Sequence, residues 1–62
     1  MITLHGLNGV EFLLNEDHIE KIEEVPETVI TLGNGKKYLV KESNEEVVRR
    51  IIEFKKKIYL CN

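Results

Sequence analysis

The alternation of apolar and polar residues predicts short β-strands over the first two thirds of the chain, followed by one amphipathic helix. Two Asn-Gly dipeptides, Asn8-Gly9 and Asn34-Gly35, each lie between short apolar runs. Asn and Gly tolerate the positive φ angles that a two-residue type I′ turn requires, so each dipeptide predicts a β-hairpin. The sequence therefore predicts a small sheet built from hairpins.

Two-residue turns also set the pairing of the strands. Leu4 would then lie opposite Leu13 in the first hairpin, and Ile30 opposite Leu39 in the second. Because opposite residues share a face of the sheet and successive residues alternate, apolar pairs would lie on both faces of each hairpin. We therefore expect the second face to be covered, either by closure of the sheet into a small barrel or by a partner chain.

The segment between the hairpins, residues 18–25, is interpreted as a strand that contains a bulge. Its branched apolar residues recur at every third position, which fits neither a regular strand nor a long helix. They are Ile19, Ile22 and Val25. One extra residue near positions 20–21 would restore the alternation of a pleated strand. Pro26 has no N–H to donate, so it suits the connection to the next strand.

The last third of the chain predicts a helix over about residues 44–58. Ser43 and Glu46 match a capping box, in which the Ser43 hydroxyl accepts from the Glu46 amide and the Glu46 carboxylate accepts from the Ser43 amide. Three pairs place an acid four residues before a base, the favourable direction. They are Glu45 with Arg49, Glu46 with Arg50, and Glu53 with Lys57.

The apolar residues of this helix cover more of its circumference than one sheet needs. At ~100° per residue they span about 160°, whereas packing against one sheet takes an apolar stripe of roughly 100°. The stripe contains Val47, Val48, Ile51, Ile52, Phe54, Ile58 and Tyr59. The surplus falls at Val48, Ile52 and Tyr59, which we predict as a candidate partner interface.

The length of the chain indicates one domain with a small core. With 62 residues, the sheet is expected over about 1–41 and the helix over about 44–58 of a single domain, residues 1–62. Cys61 is the one cysteine and cannot form an internal disulfide. Since small domains without disulfides or structural metals are often stabilised by oligomerisation, a homodimer is expected. A lone thiol and the absence of a leader-like start favour the cytoplasm.

Composition and motifs argue against several functional classes. Nine basic against eleven acidic residues give a net charge of −2, whereas dedicated phosphate-backbone binders usually carry a basic domain. Lys55-Lys56-Lys57 is interpreted as a solvated helix end that complements the macrodipole. His5 and His18 match no catalytic or metal-binding spacing. We therefore predict that the protein is not an enzyme and has no catalytic residue, cofactor or metal. We also predict no membrane insertion, because no apolar run is long enough to span a bilayer.

The order of short motifs along the whole chain resembles the FlbD/SwrD family of small flagellar proteins. The segments that carry the resemblance are residues 1–4 (MITL), 7–9 (LNG), 11–12 (EF), 14–15 (LN), 19–20 (IE), 22–24 (IEE), 26–32 (PETVITL), 34–37 (NGKK), 40–43 (VKES) and 45–47 (EEV). His5-Gly6 stands where a Thr-Arg pair is expected, and His18 where an apolar residue is common. The resemblance implies a cytoplasmic accessory of flagellar motility and swarming, and it brings no catalytic residues.

Two function classes follow from these observations. The first is a non-enzymatic accessory that acts through protein–protein interaction, with itself, a flagellar motor protein or another flagellar protein as partner. The second is a small nucleic-acid-binding regulator of flagellar gene expression, because short five-stranded chains that end in a helix also occur among small RNA-binding regulators. Charge favours the first class, since phosphate binding needs several free Lys or Arg side chains.

Overall fold

The structure consists of five short antiparallel strands and one C-terminal helix. The computed structural model describes residues 1–60, and the side chains of residues 1–59. In chain order the elements are β1 (Ile2–His5), β2 (Glu11–Leu14), a 3-10 turn (Glu16–His18), β3 (Ile19–Glu24), β4 (Thr28–Leu32), β5 (Lys37–Val40) and α1 (Asn44–Leu60). The predicted α+β class, mostly β with one terminal helix, is confirmed. Cys61 lies outside the described residues.

Both hairpins turn at the predicted dipeptides, but through three-residue loops. Gly9 and Gly35 have φ angles of 85° and 91°, whereas no described residue other than glycine has a positive φ, so the predicted type I′ turns are wrong. Asn8 and Asn34 instead accept through Oδ1 from the backbone amide two residues later, at 3.0 Å in each loop. This is the geometry of a turn followed by a left-handed glycine, the commonest three-residue hairpin loop.

The extra loop residue shifts each pairing by one position. Leu4 lies opposite Phe12, not Leu13, and Ile30 lies opposite Tyr38, not Leu39. Because a shift of one residue moves a strand's side chains to the other face, the prediction of two apolar faces is wrong for the first hairpin. Its outer face carries the mixed pairs Thr3↔Leu13 and His5↔Glu11. The second hairpin keeps one apolar pair outside, Val29↔Leu39.

The bulged strand in the middle of the chain is confirmed. β3 pairs with β4, and its register shifts between Ile19 and Lys21, at the predicted position. Pro26 lies in the connection between these two strands, also as predicted. The strands form a β1-β2 sheet and a β3-β4-β5 sheet, which meet through one bridge between Gly6 and Val40. This junction curls the two sheets around a shared interior.

The core lies between the inner sheet faces and one side of α1. Its fully buried side chains are Leu4, Ile30, Val40 and Val47, with Phe12, Tyr38, Ile51 and Phe54 among the half-buried residues packed against it. The rings of Phe12 and Tyr38 lie 5.6 Å apart between their centroids and link the two sheets. The helix starts as predicted, since the Glu46 amide donates to the Ser43 hydroxyl at 3.1 Å. The other half of the predicted capping box is wrong, because the Glu46 carboxylate accepts from Arg49 and Arg50 and not from the Ser43 amide.

Candidate functional site

A strip of exposed apolar side chains runs along α1 beside its buried face. Val47 is fully buried, whereas Val48, Ile52 and Tyr59 are 45%, 49% and 69% exposed. Val48 and Ile52 lie one helical turn apart and line an open groove of about 520 Å³. The sheet therefore covers only part of the apolar arc, and we call these three residues the helix surface. Its role as an interface stays a prediction.

Charged side chains flank the Val48 and Ile52 part of the helix surface at both ends. Glu45 and Lys56 are exposed and line the same groove as Val48 and Ile52. Arg49, also in this groove, donates to Glu46 and to Glu53, the latter at 3.0 Å. The predicted partner of Arg49 was Glu45, so that pairing is wrong. Because Arg49 contacts Glu46 and Glu53 instead, the Glu45 carboxylate is left to line the groove.

A second cluster, centred on Glu42, joins α1 to strand β1. The Glu42 side chain is only 7% exposed, and its Oε2 lies 2.6 Å from Nδ1 of His5. Arg50 donates to the same oxygen at 2.9 Å through Nη1, and to Glu46 at 2.7 Å through Nε. The Glu46–Arg50 pair was predicted from its spacing. The contacts of His5 and Arg50 with Glu42 were not predicted.

This cluster satisfies the outer backbone edge of β1. The Glu42 carboxylate accepts from the His5 amide at 3.0 Å, and Arg50 donates to the Thr3 carbonyl at 2.8 Å. The His5 carbonyl accepts from the Lys41 amide at 2.8 Å. Unpaired backbone N–H and C=O groups at the edge of a sheet can pair with a strand of another chain, and charged side chains commonly block this pairing. The cluster thus has a clear structural role at this edge.

Electrostatics support that structural role. Burial alone would raise the pKa of Glu42, but hydrogen bonds from the His5 side chain and amide, together with the Arg50 charge, lower it to about 2. Contacts with Glu46 and Glu42 outweigh burial and raise the pKa of Arg50 above its already high ordinary value. Both groups are therefore held in their charged forms near neutral pH. A general acid or base would instead need a pKa close to the working pH.

A third cluster ties the end of the helix to the 3-10 turn. Lys55 reaches Glu16 at 3.2 Å and Asp17 at 2.7 Å, and the Met1 ammonium lies 2.9 Å from Glu16. Burial would raise the pKa of Glu16, but hydrogen bonds with these cations lower it to about 2. The interpretation of Lys55 as part of a solvated helix end is therefore wrong, while Lys56 and Lys57 are exposed.

The remaining candidates from the sequence are spread over the surface. His18 is exposed at the end of the 3-10 turn and is not part of the Glu42 cluster. Its backbone carbonyl accepts from the Gly33 amide. Within residues 1–60, no group of three His, Cys, Asp or Glu side chains is placed to hold a metal ion. No helix in that range has the length and apolar character needed to cross a membrane.

The fold and its surface define a small α+β protein whose buried charges hold its elements together and whose helix presents an apolar strip. A sequence model of a family described as flagellar and swarming motility proteins matches residues 1–59. The chain belongs to this family, FlbD, and its role is related to flagellar or swarming motility. No curated protein and no solved structure shows significant similarity to the chain.

Proposed function

We propose that this protein is a non-enzymatic accessory of flagellar or swarming motility, which acts in the cytoplasm through protein–protein contact made by its helix surface. The motility context comes from the family, whose model covers nearly the whole chain. The mode of action is supported by one structural observation. Val48 and Ile52 expose nearly half of their surface and line one open groove on α1.

The distribution of charges supports binding over catalysis. Glu16 and Glu42, whose pKa values are lowered to about 2, are each engaged by at least two donors or cations. Their ion pairs connect the helix to β1 and to the 3-10 turn, so these charges stabilise the fold. The helix surface, by contrast, contributes little to the core of the single chain and is available for a partner. Adjacent exposed apolar side chains are a common mark of protein–protein contact.

Complementation of motility tests this proposal. In a flagellated strain that lacks the gene, wild-type chain should restore swarming, and Ile52→Glu should not, because a carboxylate in the groove would have to be desolvated on binding. Leu13→Glu is the matched control, since Leu13 is 63% exposed but lies on the outer face of β2. It should restore swarming like the wild type.

Two further measurements make the result specific. Immunoblots and thermal melts should show that both variants are as abundant and as stable as the wild type, since both side chains are already exposed. Counts of flagellar filaments should separate a defect in assembly from one in rotation. Swarming restored equally by Ile52→Glu and by Leu13→Glu would contradict a role for the helix surface.

A further inference from the structure

The helix surface carries charges that are complementary to a second copy of itself. Glu45 lies three residues before Val48, and Lys56 lies four residues after Ile52. At ~100° per residue, these four positions fall within about 80° of the helix circumference. The part of the helix surface around Val48 and Ile52 therefore has an apolar centre, an acid on its N-terminal side and a base on its C-terminal side. All four side chains line one groove.

One two-fold axis brings all four positions into favourable contact. The pair Val48 and Ile52 is centred at position 50, and the pair Glu45 and Lys56 is centred half a residue further along the chain. Half a residue corresponds to about 0.75 Å of helix rise, well within the freedom of these side chains. With two helices antiparallel about this axis, Val48 of each copy meets Ile52 of the other, and Glu45 meets Lys56.

We propose that the protein forms a homodimer through antiparallel pairing of its helix surfaces, with Glu45–Lys56 ion pairs on both sides of a Val48–Ile52 centre. This inference rests on the proposed function, because it names the partner of the same surface. A two-fold interface uses one patch twice and must be self-complementary, as this one is. The antiparallel arrangement also aligns the helix dipoles favourably.

The charge pattern favours a second copy over other occupants. A surface built for an acidic or basic partner would carry charges of one sign, whereas this groove contains Glu45, Arg49, Glu53 and Lys56. An anionic membrane would gain no net attraction, because the two carboxylates offset the two cations. Tyr59, which is 69% exposed, lies beyond Lys56 and would reach the residues that precede the helix of the second copy.

Sedimentation equilibrium of the full chain tests the proposal. The apolar centre is small, so we expect a weak dimer, with the mass rising from 7.2 kDa toward twice that value over concentrations of about 10 µM to 1 mM. Ile52→Glu should hold the chain at the monomer mass. A wild-type chain that stays monomeric over the whole range would overturn the proposal.

Charge reversal tests the geometry of the dimer. Glu45→Lys or Lys56→Glu alone places like charges at two contacts and should weaken association on the order of tenfold. The two changes in one chain restore opposite charges, so the double variant should return to within about threefold of the wild type. Glu20→Lys, at an exposed site on β3, is the control for net charge and should leave association unchanged. Equal weakening by the single and double variants would overturn the antiparallel arrangement.

The two proposals fail in different ways. If the chain is monomeric and Ile52→Glu still abolishes swarming, self-association is overturned while binding of another protein through the helix surface stands. If the dimer forms and depends on Ile52, but Ile52→Glu swarms normally, the proposed function is overturned and the dimer stands. Thermal melts should show that every variant remains folded, because the altered side chains are exposed in the single chain.

Discussion

Replacement of Glu42 by glutamine tests the main electrostatic contribution to this fold. The Glu42 carboxylate lies within hydrogen-bond distance of the His5 amide, the His5 ring and the Arg50 guanidinium, at 3.0, 2.6 and 2.9 Å. Glutamine is nearly the same shape and retains an acceptor oxygen, but it carries no charge. The change therefore removes the ion pair without opening a cavity.

The magnitude follows from the pKa of Glu42. Hydrogen bonds and Arg50 overcome the opposing effect of burial and lower this pKa from 4.5 to about 2, a difference worth roughly 3 kcal/mol near neutral pH. Since glutamine retains part of the hydrogen bonding, Glu42→Gln should lower the free energy of unfolding by about 1–3 kcal/mol. Because the folded-state pKa is lowered, this stabilisation is present above about pH 5. It is lost as the pH falls toward 2.

Urea unfolding of both chains near neutral pH and at about pH 3 measures this effect. The difference between Glu42→Gln and wild type should shrink by more than half at the lower pH, because the wild type loses its charge advantage there. Glu20→Gln, at an exposed position, is the control and should change stability by less than about 0.5 kcal/mol. A Glu42→Gln chain as stable as the control near neutral pH, or a difference independent of pH, would refute the reasoning.

Three further predictions concern the helix cap, the second hairpin and nucleic acid. Ser43→Ala removes the acceptor of the Glu46 amide and should cost roughly 0.5–2 kcal/mol in a urea titration. Gly35→Ala places a side chain at a φ of 91° and should cost about 1–2 kcal/mol, whereas Gly33→Ala, without that constraint, should cost less. In binding assays at physiological ionic strength, the chain should show no salt-sensitive retention of RNA or duplex DNA. Micromolar binding that is lost in Lys56→Glu/Lys57→Glu would contradict this.

The sequence was most informative where one local rule determines the structure. The bulge of β3 followed from apolar residues that recur at every third position before a proline, because a pleated strand needs period two. The start of α1 followed from Ser43, whose hydroxyl satisfies a helix amide. The hairpin positions followed from glycines that can adopt positive φ. In each case the decisive residues are close together in the chain.

The predicted strand register is wrong because two types of hairpin loop use the same Asn-Gly dipeptide. Asn-Gly fits a two-residue loop with positive φ at both residues, and it equally fits a three-residue loop in which the asparagine side chain accepts from the backbone amide two residues later. Asn8 and Asn34 both follow the second pattern. Alternation of apolar residues could have decided between them, since the observed register gives the first hairpin one apolar face.

The Glu42 cluster could not be read from the sequence because its members are distant in the chain. Glu42 precedes the helix, Arg50 lies two turns into it, and His5 lies in the first strand, 37 residues away from Glu42. No local rule links these positions, and only the closure of the fold places β1 beside the start of α1. For the same reason the contacts of Lys55 with Glu16 and Asp17 were missed. A run of three lysines looks like a solvated helix end when viewed alone.

Val47 and Val48 differ in how much of their apolar surface the fold covers. They are identical, adjacent side chains at the start of α1, yet Val47 is fully buried and Val48 is 45% exposed. Burial of a valine stabilises a domain by about 1.5–3 kcal/mol relative to exposure, so most of that free energy is realised at Val47. At Val48 a large part of it is unused in the single chain. The same holds for Ile52, one turn further along. A partner that covers both side chains would recover this free energy without any change in the core, which is what the proposed role of the helix surface requires.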